Sequence, residues 1–195
     1  SRGLGDVYKR QIMVFAENKQ ILEILKPFNS ITEKIFTREN PSPCSSVMFF
    51  DYPADKKTFE NILRETSPQS IHLMNYDIKY FDDKEFLKTI TGMLKFAHNN
   101  NNGKVELRRC ASHLGKSIQL VERILELFEE CSFISIKEKA PAYYIVDFKG
   151  IDDIAKVLHN PKYEEILNMA EECELFQKSL LEDDIEEVEN LCNIV

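Results

Sequence analysis

Apolar positions along the chain fall into two successive kinds of pattern. Residues 12–16 (IMVFA) form a short, nearly unbroken apolar run, as a strand buried on both faces does. Residues 19–28 then place Ile21, Ile24, Leu25 and Phe28 on one helical face, and Pro27 marks the end of that helix. The spacing predicts a short strand over 34–37, a loop over 41–46 (PSPCSS) and a second buried strand over 47–50, which ends in Asp51-Tyr52-Pro53. A helix over 55–65 carries Phe59, Ile62 and Leu63, and 70–75 (SIHLMN) reads as a further strand. Strands alternating with helices imply a small parallel sheet with crossover helices, an α/β domain over about 12–78.

The pattern changes near Asp77. Residues 83–98 repeat Phe86, Ile90, Leu94 and Ala97 at helical spacing, and a run of four asparagines before Gly103 ends them. A second helix is expected over 106–114 (ELRRCASHL), closed by Gly115, and a third over 117–131, with Ile118, Val121, Leu125 and Phe128 inward. Residues 133–137 (FISIK) and 143–148 (YYIVDF) alternate like two strands around a turn holding Pro141. Three helices followed by a hairpin describe a winged helix over about 79–150. Beyond it, 151–195 is an acidic helical extension with narrow apolar stripes and a short final helix over 185–191. Residues 1–11 (SRGLGDVYKRQ) follow neither period. They resemble a translated sequencing-adaptor remnant and are read as a non-native or disordered leader, with the native sequence expected to start near Ile12. The expected fold class is therefore α/β plus mainly α.

Composition bounds the function. A chain of 195 residues suits one large domain or two small ones, and 43% hydrophobic with 30% charged residues is ordinary for a globular protein. No apolar run approaches the roughly 20 residues of a membrane span, and no signal-peptide pattern is present, so a cytoplasmic location is expected. Five widely spaced cysteines without a C-x-x-C pair point to reduced core residues, not to a zinc or redox motif. The formal charge of −8 is uneven: from Ile151 onward 13 acidic residues face 3 basic ones, leaving 22 basic and 20 acidic before it. Global charge argues against a nucleic-acid binder, while its distribution leaves a local site open.

Candidate chemistry is sparse. Asp51 ends a strand where open parallel sheets take ligands, but no Gly-rich loop follows, which favours a turn or helix-capping role. His72, His98, His113 and His159 are scattered singly, and His72 reads as structural within its strand. No metal-ligand string such as H-E-x-x-H occurs, and Ser112, Ser117 and the cysteines lack a local activating base. No catalytic residue, cofactor or metal site is expected in this chain. The winged helix offers the one mechanism: Lys104, Arg108, Arg109, Lys116 and Arg123 surround its second and third helices as phosphate contacts, with Ser117, Gln119 and Arg123 exposed near the start of the third. Glu122, Glu126, Glu129 and Glu130 make that helix acidic, which favours weak backbone contact or protein docking over base reading in a duplex groove. Lys137 and Lys139 on the wing fit either use, and the acidic tail fits a partner surface or a solvated helical face.

Five strings together carry a resemblance: VMFFDYP at 47–53, IHLMNY at 71–76, ASHLGKSIQLVERILELFEECSFI at 111–134, NPKYEEIL at 160–167 and FQKSLL at 176–181. In this order and spacing the chain resembles the C-terminal region of the RecJ family, bacterial single-stranded-DNA-specific exonucleases, in the forms that extend beyond the catalytic core. The resemblance covers nearly all of 12–191. It implies a parent 5′-to-3′ exonuclease built from a DHH domain, a DHHA1 domain and an OB-fold, with manganese or magnesium held by DHH-domain aspartates and histidines. None of those motifs occurs here, so no catalytic or metal-binding role is carried onto any residue. What the resemblance implies is an accessory region acting in recombination and repair. Its expected partners are the catalytic core, single-stranded DNA, and single-strand-binding protein or another repair protein. A stand-alone winged-helix regulator and a pure protein-interaction module remain the alternatives.

Overall fold

A computed structural model describes residues 11–28, 33–74 and 77–182. The leader apart from Gln11, the expected final helix over 185–191 and Cys192 lie outside the described residues. The protein is a mixed α/β structure whose described residues form two compact units. One comprises the chain up to Lys79 together with residues from Glu174 onward; the other is Tyr80–Cys173.

The first unit is built on a parallel sheet of β1 (Ile12–Phe15), β2 (Glu33–Phe36), β3 (Ser46–Phe49) and β4 (Ser70–Leu73), in the order β2-β1-β3-β4. Register aligns Phe15 with Phe36 on one side and with Phe49 on the other. This places three phenylalanines in a row across the sheet, with ring centroids 5.5 and 5.4 Å apart. Helix α2 (Lys56–Thr66) covers that face. Asp55 caps it by accepting from Thr58 N–H, and Phe59, Ile62, Leu63 and Thr66 point inward. Phe59 packs 5.2 Å from Phe49 and 6.3 Å from Phe176 of a later helix, and Leu180 joins the same cluster. The opposite face is lined by Val14, Ala16 and Leu25, with Ile21, Leu22, Ile35, Met48 and Phe50 around them. Helix α1 (Lys19–Leu25) lies there, capped by Asn18. It tightens into a 3₁₀ turn over Lys26–Phe28, where Pro27 has no N–H to donate to an α-helical ladder.

The second unit opens with α3 (Asp83–Asn100), capped by Asp82 and burying Phe86, Leu87, Ile90, Leu94 and Ala97. A turn through Asn102 and Gly103, both at positive φ, leads into β5 (Lys104–Glu106), a strand the sequence pattern did not predict. Gly103 lies against β7 (Tyr143–Phe148): a Cβ there would meet the Val146 carbonyl oxygen at 2.1 Å, so only glycine fits. Helices α4 (Leu107–Leu114) and α5 (Ile118–Glu130) follow, separated by Gly115 in the left-handed region and by Ser117, which caps α5. Strand β6 (Ile134–Lys139) pairs antiparallel with β7, bulging between Ile136 and Glu138, and β5 completes a sheet ordered β5-β7-β6. Residues 151–173 do not stand apart as an appendage. Val157 of α6 (Ala155–Leu158) and Tyr163, Ile166 and Ala170 of α7 (Tyr163–Glu182) belong to the same core as Ile124, Phe128 and Val146. The Tyr163 hydroxyl also donates to Asp83 Oδ1 at 2.6 Å. No helix among the described residues is long and apolar enough to cross a membrane.

Candidate nucleic-acid interface

The seven residues expected to contact nucleic acid meet different fates. Lys104 stands on β5, half-buried, its ammonium 4.8 Å from the Tyr143 ring centroid. Arg108 and Arg109 are exposed in the first turn of α4, and Arg109 Nη1 lies 3.4 Å from Glu106 Oε2. Lys116, half-buried, sits 5.4 Å over the Phe81 ring. Ser117 is engaged as the α5 cap, its Oγ accepting from Leu120 N–H at 3.1 Å. Gln119 is exposed in the first turn of α5.

Arg123 is held by carboxylates. Its Nη1 lies 3.2 Å from Glu126 Oε2 and its Nε 3.2 Å from Glu165 Oε1, and the two, Glu126 foremost, fix the guanidinium in its charged form. Glu126 also takes Lys139 at 3.3 Å, while Glu130 takes Lys162 at 2.6 Å and Glu129 accepts from Ile136 N–H. The outer face of α5 is thus a lattice of ion pairs in which carboxylates hold Lys139 of β6 and Arg123. Such exposed pairs add little stability, but here two carboxylates face the single charge of Arg123 and leave its surroundings anionic.

Lys104 and Arg109 come together elsewhere, on a groove of about 560 Å³ lined by α3, β5 and α4. Its floor is apolar, formed by Met93, Ala97, Val105 and Cys110, and Phe96 stands on its margin with 64% of its surface exposed. Gly92 leaves space at the α3 wall, with nothing within 4 Å of its Cβ position. His113 closes the α4 side. Phe96 was missed by reasoning from sequence, although a signal was present: it falls off the Phe86, Ile90, Leu94, Ala97 stripe of its own helix.

A second arrangement lies at the carboxyl ends of β1, β2 and β3: Asp51 holds a turn there, as expected of it, while its neighbours Glu17 and Arg38 were not singled out from sequence. Glu17 and Arg38, both almost fully buried, form a bidentate pair at 2.6 Å for each oxygen, and Arg38 N–H donates to the same carboxylate. Asp51 accepts from Glu17 N–H at 2.9 Å and from Asn18 N–H at 2.5 Å, so it fastens the β1–α1 turn to the end of β3. Burial pushes its carboxyl up to about 7, against the pull of those N–H donors. The position where open sheets take ligands is filled here by the protein's own charges. Among the described residues no buried side-chain nitrogen or oxygen lacks a partner.

Nothing nearby resembles an activated nucleophile. Cys44, Cys110, Cys131 and Cys173 are buried and unbridged, and burial pushes Cys44 up to about 11 and Cys110 up to about 12, away from the thiolate. His72 is on β4 as predicted, but its side chain is exposed, and His98 instead pairs with Asp147 at 3.5 Å. Among the described residues no three His, Cys, Asp or Glu side chains converge to hold a metal ion.

Compared with protein-family models, curated proteins and solved structures, the chain matches none.

Proposed function

We propose that this chain is the non-catalytic C-terminal region of a RecJ-like 5′-to-3′ single-stranded-DNA exonuclease, and that its 80–173 unit is a winged helix that holds single-stranded DNA by its phosphates. The order of the five quoted strings supports the family, and the helix, strand, helix, helix, hairpin succession with sheet order β5-β7-β6 supports the winged-helix reading. The observation that carries the choice of ligand is the α5 ion-pair lattice. A duplex-reading winged helix needs that helix cationic and free to enter a major groove, whereas here Arg123 and Lys139 face Glu126 and Glu165. Exposed cations stand instead on α4 and α3, among them Arg109, Lys88 and Lys95, where they suit loose, sequence-independent backbone contact. The catalytic core would supply metal and chemistry. This region would keep the strand, or a repair partner such as single-strand-binding protein, close to it.

Fluorescence anisotropy of the full chain with labelled single-stranded and duplex DNA, across a salt series, tests this reading. Single-stranded binding should weaken steeply with salt, each phosphate contact adding about −0.7 to the log–log slope. Tighter, sequence-dependent duplex binding would favour a stand-alone winged-helix regulator, and no binding at low salt would leave protein docking. Gene sequence upstream of Ile12 should encode DHH motifs; a start codon immediately before it would sink the RecJ assignment.

A further inference from the structure

Resting on the single-stranded-DNA reading above, we propose that the groove between α3, β5 and α4 seats a nucleobase of single-stranded DNA against Phe96, with Lys104 and Arg109 on its phosphates. A chain of net charge −8 repels a polyanion overall, so binding must occur where cations gather locally. This groove is such a place, with Lys104 and Arg109 against the one lining carboxylate, Glu106. Lys104 and Arg109 stand on the β5 and α4 side. Across from them, α3 carries exposed Lys88 and Lys95, respectively four residues before and three after the groove-lining Gly92.

The aromatic supplies the second half of the chemistry. Single-strand binders combine a cationic track with side chains on which bases stack, because every base has a π-face whatever its sequence. Phe96 is the aromatic that borders this groove, and burying its ring against a base recovers apolar surface that the fold leaves in water. The volume of about 560 Å³ is that of a small-ligand pocket. Thr89, Asn101, His113 and Glu106 add hydrogen-bonding groups around the apolar floor. A base edge carries donors and acceptors that those groups can meet, whereas the aliphatic anchor of a peptide would only dry them out. Arg109 can turn from Glu106 to a phosphate at small loss, since that pair spans 3.4 Å with the Arg109 side chain 73% exposed.

The test uses the full chain with labelled oligothymidylate and with an abasic oligomer of equal length. Phe96→Ala should weaken oligothymidylate binding about fivefold or more, and Phe96→Trp should restore it. Arg109→Gln should reduce the salt slope by about 0.7. Lys57→Gln, an equal charge loss at an exposed position on α2, should change neither, and melting curves of all variants should match the parent. The abasic oligomer should bind the parent protein no better than oligothymidylate binds Phe96→Ala. Undiminished binding by Phe96→Ala and Arg109→Gln would overturn the groove assignment while leaving the single-stranded-DNA reading standing. No oligomer binding by the parent protein would overturn both. In that case, capture of an acidic peptide with an aromatic anchor, lost in Phe96→Ala, would assign the groove to a protein partner instead.

Discussion

The two units handle charge in opposite ways. In the first, Glu17, Arg38 and Asp51 are drawn inside and satisfied by one another and by backbone N–H groups, at the carboxyl ends of the strands where a ligand would enter. In the second, the ion pairs lie at the surface: Arg123, Glu126, Glu165, Lys139, Lys162 and Glu130 neutralise one another over α5. The lesson is that the same residue types are architecture in one place and camouflage in the other. Burial, not residue identity, sets how much each contributes to folding.

That contrast can be broken most sharply at Arg38. Arg38→Met leaves the Glu17 carboxylate buried without its cation and should cost about 3–5 kcal/mol in urea unfolding. The double change Glu17→Leu with Arg38→Met should recover part of that loss, because no charge is then stranded. A double variant as unstable as the single one would show that the pair's hydrogen bonds to the backbone, not its charge balance, hold these turns.

Asp51 gives the intermediate effect and a sign. Its folded-state value near 7 lies above the ordinary aspartate value of 3.8, so the folded state holds the proton more tightly. The stability it contributes is fully present below about pH 4 and is lost as pH rises through about 7, at up to about 1.4 kcal/mol per pH unit. The parent protein should therefore lose stability relative to Asp51→Asn as pH rises from about 4 to about 8. A parent protein that instead gains stability relative to Asp51→Asn over that range would mean that the Glu17 and Asn18 N–H donors outweigh burial.

The smallest effect belongs to α5. Arg123→Gln should change stability by less than about 1 kcal/mol, and less still at high salt, because both its partners are solvated. A loss comparable to that of Arg38→Met would erase the distinction between the units.

Much of the fold could be read from pattern. The apolar runs at β1 and β3 and the Phe86-to-Ala97 stripe of α3 each act within a few residues, the range over which periodicity speaks. Strand β5 could not be seen, since three residues after an asparagine run hold no period. The Glu17–Arg38 pair was equally hidden: 21 residues separate its members, and only the parallel register of β1 and β2 joins them. For the candidate site, the cations were visible but their partners only in part. Glu126 lies one helical turn from Arg123, whereas Glu165 comes from 42 residues away. Phe96 carries no charge, and its only mark in the sequence is that it falls off its helix's apolar stripe.

The split of the first unit sets an order for its assembly. Phe176 and Leu180, which complete the cluster around Phe59, are added only after the whole of 80–173 has been synthesised. On the ribosome the emerging parallel sheet must wait, one flank of its phenylalanine row unsealed, while the later-made unit has every core residue by Cys173 and can close first. The N-terminal unit is therefore last to mature, and its unsealed apolar face is what a chaperone would have to shield in the interval.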